Sequence, residues 1–106
     1  MEIIRWFSDP AWSQQVVLGE RTFIVKGRYN TRDESWYCDV IDSNEIPVVV
    51  GRRVTIGTDI LEGVVAENAP NGSIIVTAVI EGVEEITRDN MGESVQLIFA
   101  EEDEEL

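Results

Sequence analysis

Residues 21–41 read RTFIVKGRYNTRDESWYCDVI, and the spacing of their apolar side chains decides the fold class. Phe23, Val25 and Tyr29 fall on alternate positions, and Thr22, Lys26 and Arg28 occupy the opposite set together with Ile24. Successive side chains of an extended chain point to opposite faces, so this period of two predicts a half-buried strand over 21–29. Residues 35–41 (SWYCDVI) repeat the pattern, with Trp36, Cys38 and Val40 set against Tyr37 and Asp39. The intervening NTRDE is polar and of hairpin length, with Asn and Asp to shape a turn.

The same grammar extends outward. An opening strand over 13–18 (SQQVVL) turns at Gly19-Glu20 into the first of these strands, and Asp42-Ser43-Asn44-Glu45 turns the second into a third at 46–50 (IPVVV). A meander follows. Pro47 cannot donate to a ladder and favours the start of its strand or a sheet edge. Gly51 and Gly57 bracket a short strand within GRRVTIGTDIL, and Thr58 is placed to cap a helical turn through Asp59, Ile60 and Leu61. Ala69-Pro70-Asn71-Gly72 is the strongest turn signal. It separates residues 62–67 from 73–81 (SIIVTAVIE), whose apolar residues on both faces predict a central strand. A last strand spans 94–100, with Val95, Leu97 and Phe99 inward. The expectation is an all-β fold: one small β-barrel or β-sandwich of about seven short antiparallel strands over residues 1–100. Residues 101–106, EEDEEL, form an acidic, flexible C-terminal tail in this reading.

Composition agrees with one folded domain. The 106 residues are 43% hydrophobic and include three Trp, two Tyr and three Phe. Eight basic against 21 acidic residues give a net charge of −13, and sixteen of the acids lie within residues 1–100. Such a chain repels nucleic acid and anionic lipid at long range, so no direct nucleic-acid or membrane binding is expected. MEIIRWFSDP lacks the apolar region of a signal peptide, and the apolar runs are too short to span a bilayer as helices. Cys38 is the single cysteine, which excludes an internal disulfide, and its alternation with Trp36 and Val40 marks a buried small hydrophobe rather than a reactive thiol.

The search for chemistry returns little. Histidine is absent, and no nucleophile elbow, phosphate loop or paired-cysteine motif occurs. Asp39 and Asp42 are a conceivable acid–base pair, but among 21 acids close pairs arise by chance. The turn at 42–45 lacks the alternating ligands and central glycine of a calcium loop. No catalytic residue, cofactor site or metal site is assigned, and the chain is expected not to be an enzyme. Two stretches are candidates for binding a partner. Trp6, Phe7 and Trp12 precede the first obvious strand and either anchor a partner or lid the chain's own core. Arg88, Asp89 and Asn90 sit in the long connection ITRDNMG at 86–92.

The order of these features resembles the phage baseplate plug proteins of contractile-tailed phages. An opening strand leads to Leu18-Gly19, and a strand follows that ends in Arg28-Tyr29-Asn30. The aromatic strand Ser35-Trp36-Tyr37 with Asp39 comes next, then a Pro-containing strand and Gly51…Gly57-Thr58-Asp59-Ile60-Leu61. Thr87-Arg88-Asp89-Asn90…Gly92 then leads into the last strand. The resemblance implies a structural part of a contractile tail baseplate, a plug packing in the central hub and tail-tube region with no cofactor. It implies contact with hub, tube-initiator and spike proteins, in several copies within a symmetric assembly. It also implies synthesis in the host cytoplasm and residence in the virion. Two other readings stand beside it: an acidic mimic of nucleic acid that inhibits a host enzyme, and a tail tube or connector component. Against the first, five of the acids lie in the final six residues.

Overall fold

The alternation in residues 21–41 becomes two neighbouring strands of a four-stranded antiparallel sheet. The computed structural model describes residues 2–101, and among them it contains seven strands and no helix. These are β1 (Glu2–Ile4), β2 (Ala11–Leu18), β3 (Arg21–Asn30), β4 (Ser35–Asp42), β5 (Pro47–Arg53), β6 (Gly72–Ala78) and β7 (Val95–Glu101). They form two antiparallel sheets, β2-β3-β4-β5 and β1-β7-β6. The predicted meander is present, and the opening strand expected over 13–18 is β2, which starts two residues earlier at Ala11.

Register places the apolar sets together. Val25 faces Val40 and Tyr29 faces Trp36 between β3 and β4, while Ile74 faces Phe99 and Val76 faces Leu97 between β6 and β7. One hydrophobic cluster draws on both sheets, with Phe23, Val25, Trp36, Cys38 and Val40 from one and Ile4, Ile74, Val76, Leu97 and Phe99 from the other. Burying each large side chain contributes about 1.5–3 kcal/mol, so this shared core holds the sheets together.

The turns of the meander are tight. Gly19 and Glu20 both take positive φ, 60° and 72°, as a two-residue hairpin between right-twisted strands requires. Between β4 and β5, the Asp42 carboxylate accepts hydrogen bonds from the amides of Asn44 and Ile46, each at 2.9 Å. Pro47 opens β5, and β5 is a sheet edge, as its missing N–H demands. The β4–β5 register shifts between Cys38 and Val40. There Gly51 adopts φ 70° and donates its amide to Asp39 Oδ1 at 2.7 Å, so a buried carboxylate satisfies the bulge.

Five expectations change. The sheets do not close into a barrel, because the outer edge of β6 is taken by the segment 57–60 rather than by β5. Gly57 donates to Val76, Val76 to Thr58 and Ile60 to Ile74 through backbone bonds. For the same reason β6 is an edge strand and not a central one: Ile74 and Val76 are buried on one face, while Ser73, Ile75 and Thr77 on the other are only partly so. The short strand between Gly51 and Gly57 is absent, since β5 itself runs through the bulge to Arg53. At the turn beyond it the cap is Asp59, whose Oδ1 accepts from Leu61 N and Ile74 N, both at 2.9 Å; Thr58 instead donates its hydroxyl to Thr55 O. The tail assigned to 101–106 loses its first residue, because Glu101 ends β7 opposite Gly72, and residues 102–106 lie outside those described.

Candidate partner-binding surface

Residues far apart in the chain meet at one end of the core. Trp6 is 6% exposed and meets Trp12 edge-on with centroids 4.8 Å apart, and Trp36 edge-on at 5.3 Å. Phe7 packs on Trp12 at 5.3 Å and Tyr29 on Trp36 at 5.1 Å. The result is a continuous row, Phe7–Trp12–Trp6–Trp36–Tyr29. Edge-to-face pairs of this kind contribute about 0.5–1.5 kcal/mol each beyond their burial.

A guanidinium closes each end. Arg5 stands 4.9 Å from the centroid of Phe7. Arg88 stands 5.0 Å from that of Trp36 and 5.4 Å from that of Tyr29. Arg88 thus lies on rings, and not against an acid among the described residues. The two indole N–H groups of Trp6 and Trp12 are buried without an acceptor among the described residues, so packing outweighs hydrogen bonding at the centre of the row.

The connection that carries Arg88 is held from within. Asn90 Oδ1 accepts from Thr87 N at 2.8 Å, Asn90 N donates to Thr87 Oγ1 at 3.1 Å, and Asn90 Nδ2 donates to Glu85 O at 2.9 Å. Its carbonyl takes the amides of Glu93, Ser94 and Val95. Trp36 Nε1 donates to Thr87 O at 3.3 Å and ties the loop to β4. Asn90 is therefore a loop organiser, whereas Asp89 is exposed to solvent and Arg88 is partly so. A cleft of about 790 Å³ runs beside them, walled by Tyr29, Trp36, Arg53, Thr87 and Arg88 with Glu34 and Glu85 at its rim.

The sequence-predicted residues divide accordingly. Trp6, Phe7, Trp12 and Arg88 are gathered into one array, with Trp6 in the core as a lid on the chain's own interior. Asp89 stands beside the array, and Asn90 works inside the loop. Sequence reasoning missed Arg5, Tyr29 and Trp36 as members. The signal for Trp36 and Tyr29 was their inward position on two strands already paired, which sets them opposite one another.

Asp39 and Asp42, the conceivable acid–base pair, are engaged in the fold. Asp39 is buried and pairs with Arg28 at 3.0 Å. The amide of Ile46 holds the Asp42 carboxyl below the usual carboxylate range, with smaller help from Asn68, Asn44 and Arg21 against a partial desolvation. Burial pushes the Cys38 thiol up to about 12, with Asp39 adding to the rise and Arg28 opposing it. Among the described residues no group of three or more Cys, Asp or Glu side chains converges as metal ligands.

The fold defines a small all-β protein of two antiparallel sheets around a single core, with a row of rings at one end. The chain belongs to the family of the cyanophage baseplate Pam3 plug gp18, whose family model matches residues 1–102. No curated protein matches the chain. The resemblance seen in the order of motifs is borne out: this is a structural protein of a phage baseplate, located in the virion tail and in contact with other baseplate components.

Proposed function

We propose that the chain is a non-enzymatic plug of a contractile tail baseplate, packed where hub and tail tube meet, with Arg88 and Asp89 turned toward the hub. The family match over residues 1–102 carries this reading. The internal bonding of Asn90 supports the loop's part in it, because a stiffened loop presents its neighbours without a large ordering cost. Arg88 rests one face of its guanidinium on Trp36 and Tyr29, which leaves its N–H edge for a carboxylate or carbonyls of a partner. The plug sits in several copies of a symmetric assembly with hub, tube-initiator and spike proteins. It is made in the host cytoplasm and uses no cofactor. The net charge of −13 favours protein partners over nucleic acid.

Reconstitution tests the reading. The purified chain and its Arg88→Ala variant are mixed with purified hub, tube-initiator and spike proteins. Co-assembly of the parent is expected, with weaker hub binding by a variant that keeps its fold. Equal binding by the variant removes the loop from the contact, and failure of the parent to join removes the hub placement.

A further inference from the structure

The two sheets have four outer edges, and three of them are blunted. β1 is only three residues long. β5 begins with Pro47, bulges at Gly51 and ends in Arg52-Arg53. β6 is covered by residues 57–60. Short length, proline, bulges, charge and a covering loop are the usual defences of a strand edge against adventitious pairing.

β2 has none of them. Its eight residues, AWSQQVVL, contain no charge, proline or glycine, and its pairing with β3 runs from Ala11 to Leu18 without a shift. Leu18 and Arg21 flank a two-residue turn and Tyr29 N donates to Pro10 O, so the even-numbered residues of β2 exchange hydrogen bonds with β3. The N–H and C=O groups of Ala11, Ser13, Gln15 and Val17 point the other way, and no backbone partner meets them among the described residues. In a chain that is 27% charged, an eight-residue uncharged edge is a conspicuous gap in those defences.

We propose that this edge is a docking strand: it accepts an extended segment of a different protein, uncharged at its centre and basic at both ends, as an added strand of the β2-β3-β4-β5 sheet. The charge pattern selects that occupant over a second copy. Asp9 and Glu20, both exposed, stand two residues beyond the two ends of β2. Two chains that each carry −13 repel one another. Lys or Arg at the ends of the incoming strand complements both acids. The inference extends the baseplate reading by naming the chemistry of one partner segment, and its test uses the purified chain alone, so its failure leaves that reading standing.

The probe is a peptide of alternating Thr and Val bounded by two Lys at each end, titrated into the chain while backbone amide hydrogen exchange is followed residue by residue by NMR. In the free chain the amides of Ser13, Gln15 and Val17 are expected to exchange fast and those of Gln14 and Val16 slowly. The peptide protects the first three. Gln15→Pro deletes an outward N–H without removing a β2–β3 bond, and it should weaken binding by about tenfold or more. Replacing the terminal Lys by Glu should do the same in low salt. Binding that leaves those three amides unprotected, or no binding, overturns the proposal. So does protection already present in the free chain, which marks an occupant from a second copy or from residues 102–106. If Gln15→Pro fails to fold, Gln15→Lys takes its place, and unchanged peptide affinity in that variant is equally fatal.

Discussion

Gly27 of β3 lies directly beneath the indole of Trp12 on β2: a Cβ on Gly27 would stand 2.4 Å from Trp12 Cε2. The two residues are cross-strand partners. The bare backbone at Gly27 is what lets the Trp12 ring lie across the strand and reach Trp6 edge-on. Gly27→Ala is therefore expected to destabilise the fold by about 1–3 kcal/mol through overpacking. Urea unfolding measures the loss, and near-ultraviolet circular dichroism should show a weakened tryptophan signal. An unchanged urea midpoint would mean that the ring swings aside at no cost.

Asp59 should matter more than its position in a loop suggests. Its Oδ1 accepts both Leu61 N and Ile74 N, which fastens the segment 57–60 to the edge of β6. Asp59→Ala leaves two part-buried amides without an acceptor and is expected to cost about 1–3 kcal/mol. Asp59→Asn keeps an acceptor oxygen and should recover much of that. Thermal melts of the two variants against the parent decide it, and equal loss in both would indicate that the carboxylate's charge, not its acceptor geometry, holds the segment.

The meander was legible because residues 21–29 and 35–41 alternate cleanly, and alternation survives any tertiary context that buries one face. β1 was not: Glu2–Ile4 is too short for a period to appear. The place of β6 misled for a physical reason. Apolar residues on both faces suggest a central strand, but only Ile74 and Val76 are buried, and the Ile75 face stays partly open at a strand whose edge is bonded by a loop, 57–60. The ring row was half legible. Trp6, Phe7 and Trp12 announced themselves, while Trp36 and Arg88 came together only through the packing of the 83–92 connection over β4. No local pattern encodes that contact.

The turn between β4 and β5 should be acid-sensitive. Hydrogen bonds from Ile46, Asn68 and Asn44 lower the Asp42 pKa in the folded chain. A depressed carboxylate contributes stability that is fully present above its unfolded value, about 3.9, and is lost as pH falls through the folded value. Asp42→Asn retains an acceptor for the two amides but no charge. The parent's advantage in melting temperature over this variant should therefore be constant near neutrality and shrink below about pH 4. An advantage that persists unchanged into strong acid would mean that the carboxylate's ionisation is not coupled to folding.

Arg88 is the residue on which a structural role and a partner role must be separated. Its guanidinium lies over Trp36 and Tyr29, and at a partly exposed site such a contact contributes about 0.5–1 kcal/mol. Arg88→Ala is expected to lower stability by about that amount and to shift tryptophan emission to the red as Trp36 meets water. Arg88→Lys keeps the charge but loses the planar stack and the bidentate fork. It should recover part of the stability and little of the hub binding. That split is the diagnostic outcome, because a residue acting only through the fold would recover both together. If Lys restores hub binding in step with stability, Arg88 serves the ring row alone, and the partner contact must be sought elsewhere on the cleft rim.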